Sequence, residues 1–281
     1  MNKLWIDGSF PEIWKNAIII PIPKPNKDYT IPSSYRPISL TSCLCKTMER
    51  MVNTRLVWYL EKGGFLSKFQ CGFRKQRNTV DHLVRLDTLR KAFKAGEHCV
   101  AVFFDLEKAY GTTWKYGIMR YLHNAGLRGR MTTFIGNFLE DRQFQVRVNN
   151  TLSSIHDQEM GVPQGSILSV TLFVLKINYL AELVEPDVLR SLFVDDFKIC
   201  YRGKMRSCIE RKLQTNLNKI GEWATENGFI FSYDKTEAVH LWKFKNTRKP
   251  ELTLNKKPIK VSSKAKFLGT EGSPSKIMLN T

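Results

Sequence analysis

The stretch that most constrains this chain is Ser191-Leu-Phe-Val-Asp195-Asp196-Phe-Lys-Ile-Cys-Tyr201, an apolar run interrupted in its middle by two adjacent carboxylates. Neighbouring side chains on a regular strand point to opposite faces, so both acids can serve one site only where the backbone turns. The run therefore reads as a β-hairpin with the Asp pair at or beside its tip. Two like charges held this close in apolar surroundings raise one another's pKa unless a cation neutralises them. A divalent metal with a preference for oxygen ligands, Mg²⁺ first, is the simplest such cation. Taken alone, the pair is also compatible with a solvated Asp-Asp turn, and the rest of the chain has to decide.

The 281 residues are 42% hydrophobic, enough to bury a core in one large domain or two subdomains. The formal charge is +18, from 44 Lys and Arg against 26 Asp and Glu spread along the chain. Cations distributed in this way track a phosphate backbone, which selects nucleic acid before membrane as the partner. The six cysteines contain no C-x-x-C pair and read as buried thiols of a reducing compartment, with neither a disulfide framework nor a zinc site. No signal-peptide pattern opens the sequence, and the run Ala17-Ile-Ile-Ile-Pro-Ile-Pro is too short to cross a bilayer. The expected location is intracellular, nuclear or cytoplasmic, and not secreted, with no membrane partner.

Periodicity places the elements. Ile18–Ile22 reads as a short strand, and a Pro- and Lys-rich loop leads to Ser34–Leu40, where Pro37 biases Arg36 towards an extended backbone. Lys24 and Arg36 are cations that could face phosphates. Leu44, Met48, Met51, Leu56 and Tyr59 predict a helix from Ser42 to about Leu60, ended by Gly63-Gly64. Phe69–Thr79 is a loop dense in cations whose Gly72 lets the backbone approach a ligand, and it is either a triphosphate grip or a basic surface loop. Asn78 or Thr79 would cap a second helix with the stripe Leu83, Leu86, Leu89 and Phe93. Val100–Phe104 reads as a buried strand delivering Asp105 to a sheet edge. Two helices follow near 114–124 and 129–140, then an alternating arm Gln143–Val148 that turns at Asn149-Asn150. The loop Gly161-Val-Pro163-Gln164-Gly165-Ser166 opens a helix near 167–183, and Ile209, Leu213, Leu217, Ile220 and Trp223 mark another, closed by Asn227-Gly228. Short strands are expected near 229–231, 238–242, 252–254 and 259–261. This order predicts an α+β fold in which helices cover one face of an antiparallel sheet. The expected division is an N-terminal region over 1–97, a second region over 98–270 with an insertion at about 119–160, and a divergent tail over 271–281.

Asp105 and the Asp195-Asp196 pair converge if their strands are neighbours. Three carboxylates could then cage two metals roughly 3.5–4 Å apart, the arrangement that clamps both oxygens of an in-line phosphoryl displacement. Tyr35-Arg36-Pro37-Ile38-Ser39-Leu40, Gln70-Cys-Gly72-Phe73-Arg74, Phe104-Asp105-Leu-Glu-Lys-Ala109-Tyr110, Gly161-Val-Pro163-Gln164-Gly165-Ser166, Phe193-Val-Asp195-Asp196, Lys235-Thr236 and Phe267-Leu268-Gly269 occur in that order. Together, from about 10 to 270, they closely resemble the reverse transcriptases of non-LTR retrotransposons, particularly the jockey-like elements of arthropods.

The resemblance implies a right-hand polymerase fold with fingers and palm, the palm an antiparallel sheet covered by helices and the thumb largely absent. It implies RNA-directed DNA synthesis from dNTPs onto a primer 3′-hydroxyl, with an RNA template and a DNA primer as partners and two Mg²⁺ ions, or Mn²⁺, as cofactors. By matching position, Asp105, Asp195 and Asp196 would be metal ligands, and Lys235 would approach the leaving pyrophosphate as a proton donor. Tyr110 would lie under the sugar of the incoming nucleotide, which Gln164 would also contact. Arg74, with Lys75, would pair with the triphosphate, and Phe267-Leu268-Gly269 would be the primer grip. The chain departs from the family pattern at Gly111, Val170 and Ser232, where relatives usually carry Asp, Pro and Asn. The alternative is a catalytically inactive remnant that only binds nucleic acid through its basic surface.

Overall fold

The structure is a computed structural model that describes residues 1–77, 94–242, 248–262, 265–267 and 270–272. The helix expected after Asn78, with its stripe from Leu83 to Phe93, lies outside the described residues. The chain forms two compact units, one from Met1–Leu66 and Tyr110–Lys176, the other from the described parts of Ser67–Ala109 and Ile177–Thr281. Among the described residues, 67–77 and 94–97 fall in the same unit as the strand that ends at Phe104, and 110–176 fall in the other.

In the first unit, Asn16–Pro23 and Tyr35–Leu40 form an antiparallel hairpin in the register Ile18↔Leu40 to Pro23↔Tyr35. Gln143–Val148 joins its other edge in parallel, and Thr151–Leu152 returns on it through Asn149-Asn150. The helix Cys43–Lys62 is capped by Ser42, whose hydroxyl accepts from Cys45 N–H. Its buried face is Cys45, Met48, Glu49, Val52, Leu56 and Leu60, while Leu44 and Met51 of the expected stripe are exposed. The rotation of the stripe admits a carboxylate to the core. Glu49 is wholly buried, and its Oε2 accepts from the Ser166 hydroxyl at 2.5 Å and from the N–H groups of Ile167 and Leu168 at 2.7 and 3.1 Å. It thus satisfies the free donors at the start of the helix Ile167–Ile177 from a distant segment. Arg142, also buried, supplies the charge nearest in sign, and burial pulls its pKa down while Glu49 holds it up. The helix expected to reach 183 ends at Ile177, and a 3₁₀ turn, Asn178–Ala181, follows in the second unit.

The second unit is built on a five-stranded sheet ordered Lys260–Ser262, Glu237–Leu241, His98–Phe104, Asp196–Gly203, Leu189–Phe193. All neighbours are antiparallel except the outer pair Lys260–Ser262 and Glu237–Leu241. The run expected as a strand near 229–231 contributes only an isolated bridge, Leu106↔Phe231. The helix Arg206–Asn227 lays Ile209, Leu213, Leu217, Ile220 and Trp223 on the sheet and ends at Gly228 in the left-handed region, as its periodicity predicts.

At the far end of the His98 strand from Asp105, the rings of His98 and His240 meet at 3.0 Å between Nδ1 and Nε2, and His98 stacks on Trp242. Burial pulls His240 down to about 4 and His98 below its usual value, with the Arg206 guanidinium adding to both. In the unfolded chain these imidazoles titrate near 6.5. The neutral pair therefore contributes stability that is complete above about 6.5 and is lost as the pH falls towards 4. The melting temperature is expected to drop over that window, and His240→Asn to flatten the drop in a pH series followed by circular dichroism. Removing the Glu49 acceptor strands several donors at once. Glu49→Ala is expected to cost about 3 kcal/mol in urea unfolding, and Glu49→Gln less.

Candidate active site

The Asp pair sits where its sequence predicts, at the end of a two-residue hairpin. Leu189–Phe193 and Asp196–Gly203 pair in the register Leu189↔Cys200 to Phe193↔Asp196, leaving Val194 and Asp195 as the turn. Asp195 therefore stands at the exposed tip and Asp196 opens the returning strand. Val194 has φ +56°, a region that a β-branched residue enters only under strain, of order 1–3 kcal/mol. A positive φ at the first loop residue is what the primed hairpin turns require, and glycine usually provides it.

Asp105 follows the central strand directly. The ladder that pairs His98 with Gly203 and Phe104 with Phe197 brings Asp105, one step further, to the level of Asp196. Its backbone is fixed on the other side, where Ser232 N–H donates to Asp105 O at 2.8 Å and Asp105 N–H donates to Thr236 Oγ1 at 3.4 Å. Lys235, between those two residues, places its ammonium 2.9 Å from Asp105 Oδ2. Although Asp195 is exposed as a residue, the protein packed around its carboxyl raises its pKa from the ordinary value, and the nearby charge of Asp105 pushes it further in the same direction. Two acids that repel and one lysine are thus gathered at one end of the sheet.

Arg74 and Lys75 belong to the same unit. One guanidinium nitrogen of Arg74 donates to Ser67 O and Gln70 O at 2.6 and 3.0 Å, pinning the loop that carries it, and Lys75 is exposed. In the expected primer grip, Phe267 lies on the strand Ala265–Phe267, which pairs with Thr270–Gly272, while Leu268 and Gly269 fall outside the described residues.

Tyr110 and Gln164 belong to the first unit. The Tyr110 ring stacks on Phe173 with centroids 4.7 Å apart, and its carbonyl accepts from Val162 N–H at 2.9 Å. Gly161, at φ +79°, lies so close to Tyr110 and Gly111 that a Cβ would come within 2.6 Å of Gly111 O. The Gln164 carbonyl accepts from Ser39 N–H at 2.7 Å, and a Cβ on Gly165 would stand 2.6 Å from Ser39 O. The tight loop is thus seated on the hairpin strand by main-chain contacts, and Gln164 is half-buried.

The comparisons with known proteins decide the family. Residues 22–271 match the family described as "Reverse transcriptase (RNA-dependent DNA polymerase)". The chain belongs to the reverse transcriptase family. It is 32% identical over 275 residues to the RNA-directed DNA polymerase from mobile element jockey of Drosophila melanogaster, covering 95% of this chain and 30% of that protein. It is 30% identical over 267 residues to the probable RNA-directed DNA polymerase from transposon X-element of the same organism, covering 92% of this chain and 29% of that protein. The chain thus spans about a third of the length of these relatives. Among solved structures, apo telomerase from Candida tropicalis truncated from its C-terminal domain aligns with a TM-score of 0.60 at 15% identity, over 92% of this chain and 53% of that one. That likeness gives the right-hand polymerase fold.

Reverse transcriptases generally use divalent metal ions. Among the described residues no group of three or more His, Cys, Asp or Glu side chains is drawn together as a metal cage. Asp105 pairs with Lys235, and Asp195 feels the charge of Asp105. The donor set still fits Mg²⁺, which characteristically takes one or two carboxylates and completes its shell with water and substrate phosphates. Sequence reasoning gave Gln70 and Glu49 no role, because nothing in their local pattern marks a buried polar side chain. Removing the Asp105 charge is expected to lower the pH at which Asp195 titrates while leaving it above the usual carboxylate range, since burial remains. Carboxyl-carbon NMR of metal-free Asp105→Asn against the unaltered chain reads this directly.

Proposed function

We propose that this chain carries the polymerase core of a non-LTR retrotransposon reverse transcriptase and joins dNTPs to a primer 3′-hydroxyl on an RNA template. The observation that carries the reading is the placement of Asp195 beside Asp105 on a strained hairpin next to the central strand, with their charges in conflict. A fold does not maintain such a conflict for stability, and a cation relieves it.

Asp105, Asp195 and Asp196 would hold two Mg²⁺ ions, or Mn²⁺. When bound, these supply charge neutralisation at phosphorus and a more acidic 3′-hydroxyl. Lys235, already at Asp105, would move its ammonium to the leaving pyrophosphate and give it a proton. On this reading Tyr110 would lie under the nucleotide sugar, Gln164 against the nucleotide, Arg74 and Lys75 at the triphosphate and Phe267-Leu268-Gly269 at the primer, a reading supported by their positions in the family's motifs. The +18 charge supports a polyanionic partner along the whole chain.

The test is primer extension on an RNA template with Mg²⁺ or Mn²⁺, run beside filter binding of the same template. Asp195→Asn is expected to reduce extension by at least about 10²-fold, the size of a lost electrostatic contact in a catalytic site. Lys235→Ala is expected to reduce it by about 10²-fold or more, as loss of a general acid does, and neither change should weaken template binding. Extension that survives Asp195→Asn would overturn the assignment. Salt-sensitive binding with no extension by the unaltered chain would favour the nucleic-acid-binding remnant.

A further inference from the structure

The strained turn that presents Asp195 is not held by its own strands alone. The segment before Gly72 runs along the outer edge of the hairpin: Leu192 N–H donates to Phe69 O at 3.1 Å, and Cys71 N–H donates to Leu192 O at 3.0 Å. This places the Gln70 side chain, wholly buried, against Val194. Its Oε1 accepts from Val194 N–H at 3.0 Å and from Gly72 N–H at 2.8 Å, and its Nε2 donates to Val194 O at 3.4 Å. Both main-chain polar groups of Val194, the residue of this turn at positive φ, are therefore taken by one side-chain amide. Gly72 completes the seat, since a Cβ there would come within 2.4 Å of Val194 Cγ2 and 2.6 Å of Val194 N.

We propose that Gln70 is a positioning residue for the catalytic hairpin, locking the strained Val194 backbone so that Asp195 and Asp196 are presented in one fixed geometry. An amide suits this task and a charged or apolar side chain does not. It offers an acceptor and a donor on one rigid plane, in a buried place where an unmatched group would be costly. Val194 itself lies in the turn, outside the strand ladder, and a hydrogen-bonded turn alone leaves a β-branched residue free to relax to negative φ. Such relaxation would swing Asp195 away from Asp105, and displacements of about 1 Å in a reacting group lower rates about 10²-fold. The consequence for catalysis rests on the polymerase reading; the hold on the turn does not.

Two variants test it. Gln70→Met keeps the volume and removes both hydrogen-bonding functions, and Gly72→Ala pushes on Val194 while leaving the Gln70 amide intact. Amide hydrogen exchange over the segment 191–199 is the primary readout. Each variant is expected to speed exchange there by at least about tenfold, with the helix Arg206–Asn227 unchanged. Mn²⁺ binding, followed by electron paramagnetic resonance, should weaken in both. Primer extension should lose kcat with KM for dNTP and template affinity retained. Unchanged exchange at 191–199 in Gln70→Met would overturn the proposal, as would a loss of protection spread evenly over the unit. If the unaltered chain neither binds Mn²⁺ nor extends a primer, the polymerase reading fails, and the exchange result by itself upholds or overturns the role of Gln70.

Discussion

Everything at this end of the second unit depends on holding Asp105 and Asp195 close together at the end of the sheet, where burial and then the charge of Asp105 act on Asp195. Carboxylates left to themselves separate into water, so a chain that keeps two together must fix the backbone on which each is carried. The antiparallel register does the first part, because strand pairing determines which residues emerge level at the end of a sheet. The Ser232 N–H and the Thr236 hydroxyl do the second, holding Asp105 from the side opposite the hairpin. The Lys235 ammonium meets part of the charge, but that pair is substantially exposed, with side-chain exposures of 62% and 39%, and is correspondingly screened. It therefore adds little to the stability of the fold.

Both units solve a loop problem by the same device. In each, a segment with backbone polar groups that no ladder can pair is served by a buried side chain from a remote part of the sequence. Glu49 closes the start of the helix after Gly165-Ser166, more than a hundred residues away, as Gln70 closes the turn at Val194. Glycine then supplies the room: Gly165 against Ser39, Gly161 against Gly111 and Gly72 against Val194 all approach main chain or branched side chain too closely for a Cβ. The polar side chain fixes the loop, and the glycine permits the approach. Changing either partner disturbs the same loop by a different physical route.

The repeating elements were legible in the sequence because period and burial agree in them. The stripe Ile209, Leu213, Leu217, Ile220 and Trp223 fixed a helix whose buried face is those residues, and the unbroken apolar run to Phe104 fixed a central strand. The Asp195 hairpin was legible for the opposite reason, since two charges in an apolar run have no other comfortable place. What could not be read are the residues for which chemistry and burial disagree. Leu44 and Met51 looked like core and face solvent, while Glu49, a charged residue outside the expected stripe, is fully buried. Gln70 was visible only as a letter in a motif, because its partner Val194 is 124 residues away and the reason for the contact, a positive φ, leaves no mark on composition. Arg74 was expected at the triphosphate, and its local hydrogen bonds to the carbonyls of Ser67 and Gln70 could not be read from the sequence.

The three departures from the family pattern can be weighed on the same physical terms. Ser232 is tied to Asp105 through its own N–H, so the identity of its side chain leaves that link in place. Val170 lies one turn into the helix Ile167–Ile177, where any residue other than proline brings an N–H that the helical ladder can use, so the exchange favours the helix. Gly111 is different in kind. Its Cα and carbonyl are the surface against which Gly161 is packed, and Tyr110 beside it turns its carbonyl to Val162. A residue without Cβ there widens the backbone freedom of the segment that carries Tyr110, at the place where the strand of Asp105 hands over to the first unit. Of the three, it alone acts on the precision of a proposed nucleotide contact, and it does so without touching any acid.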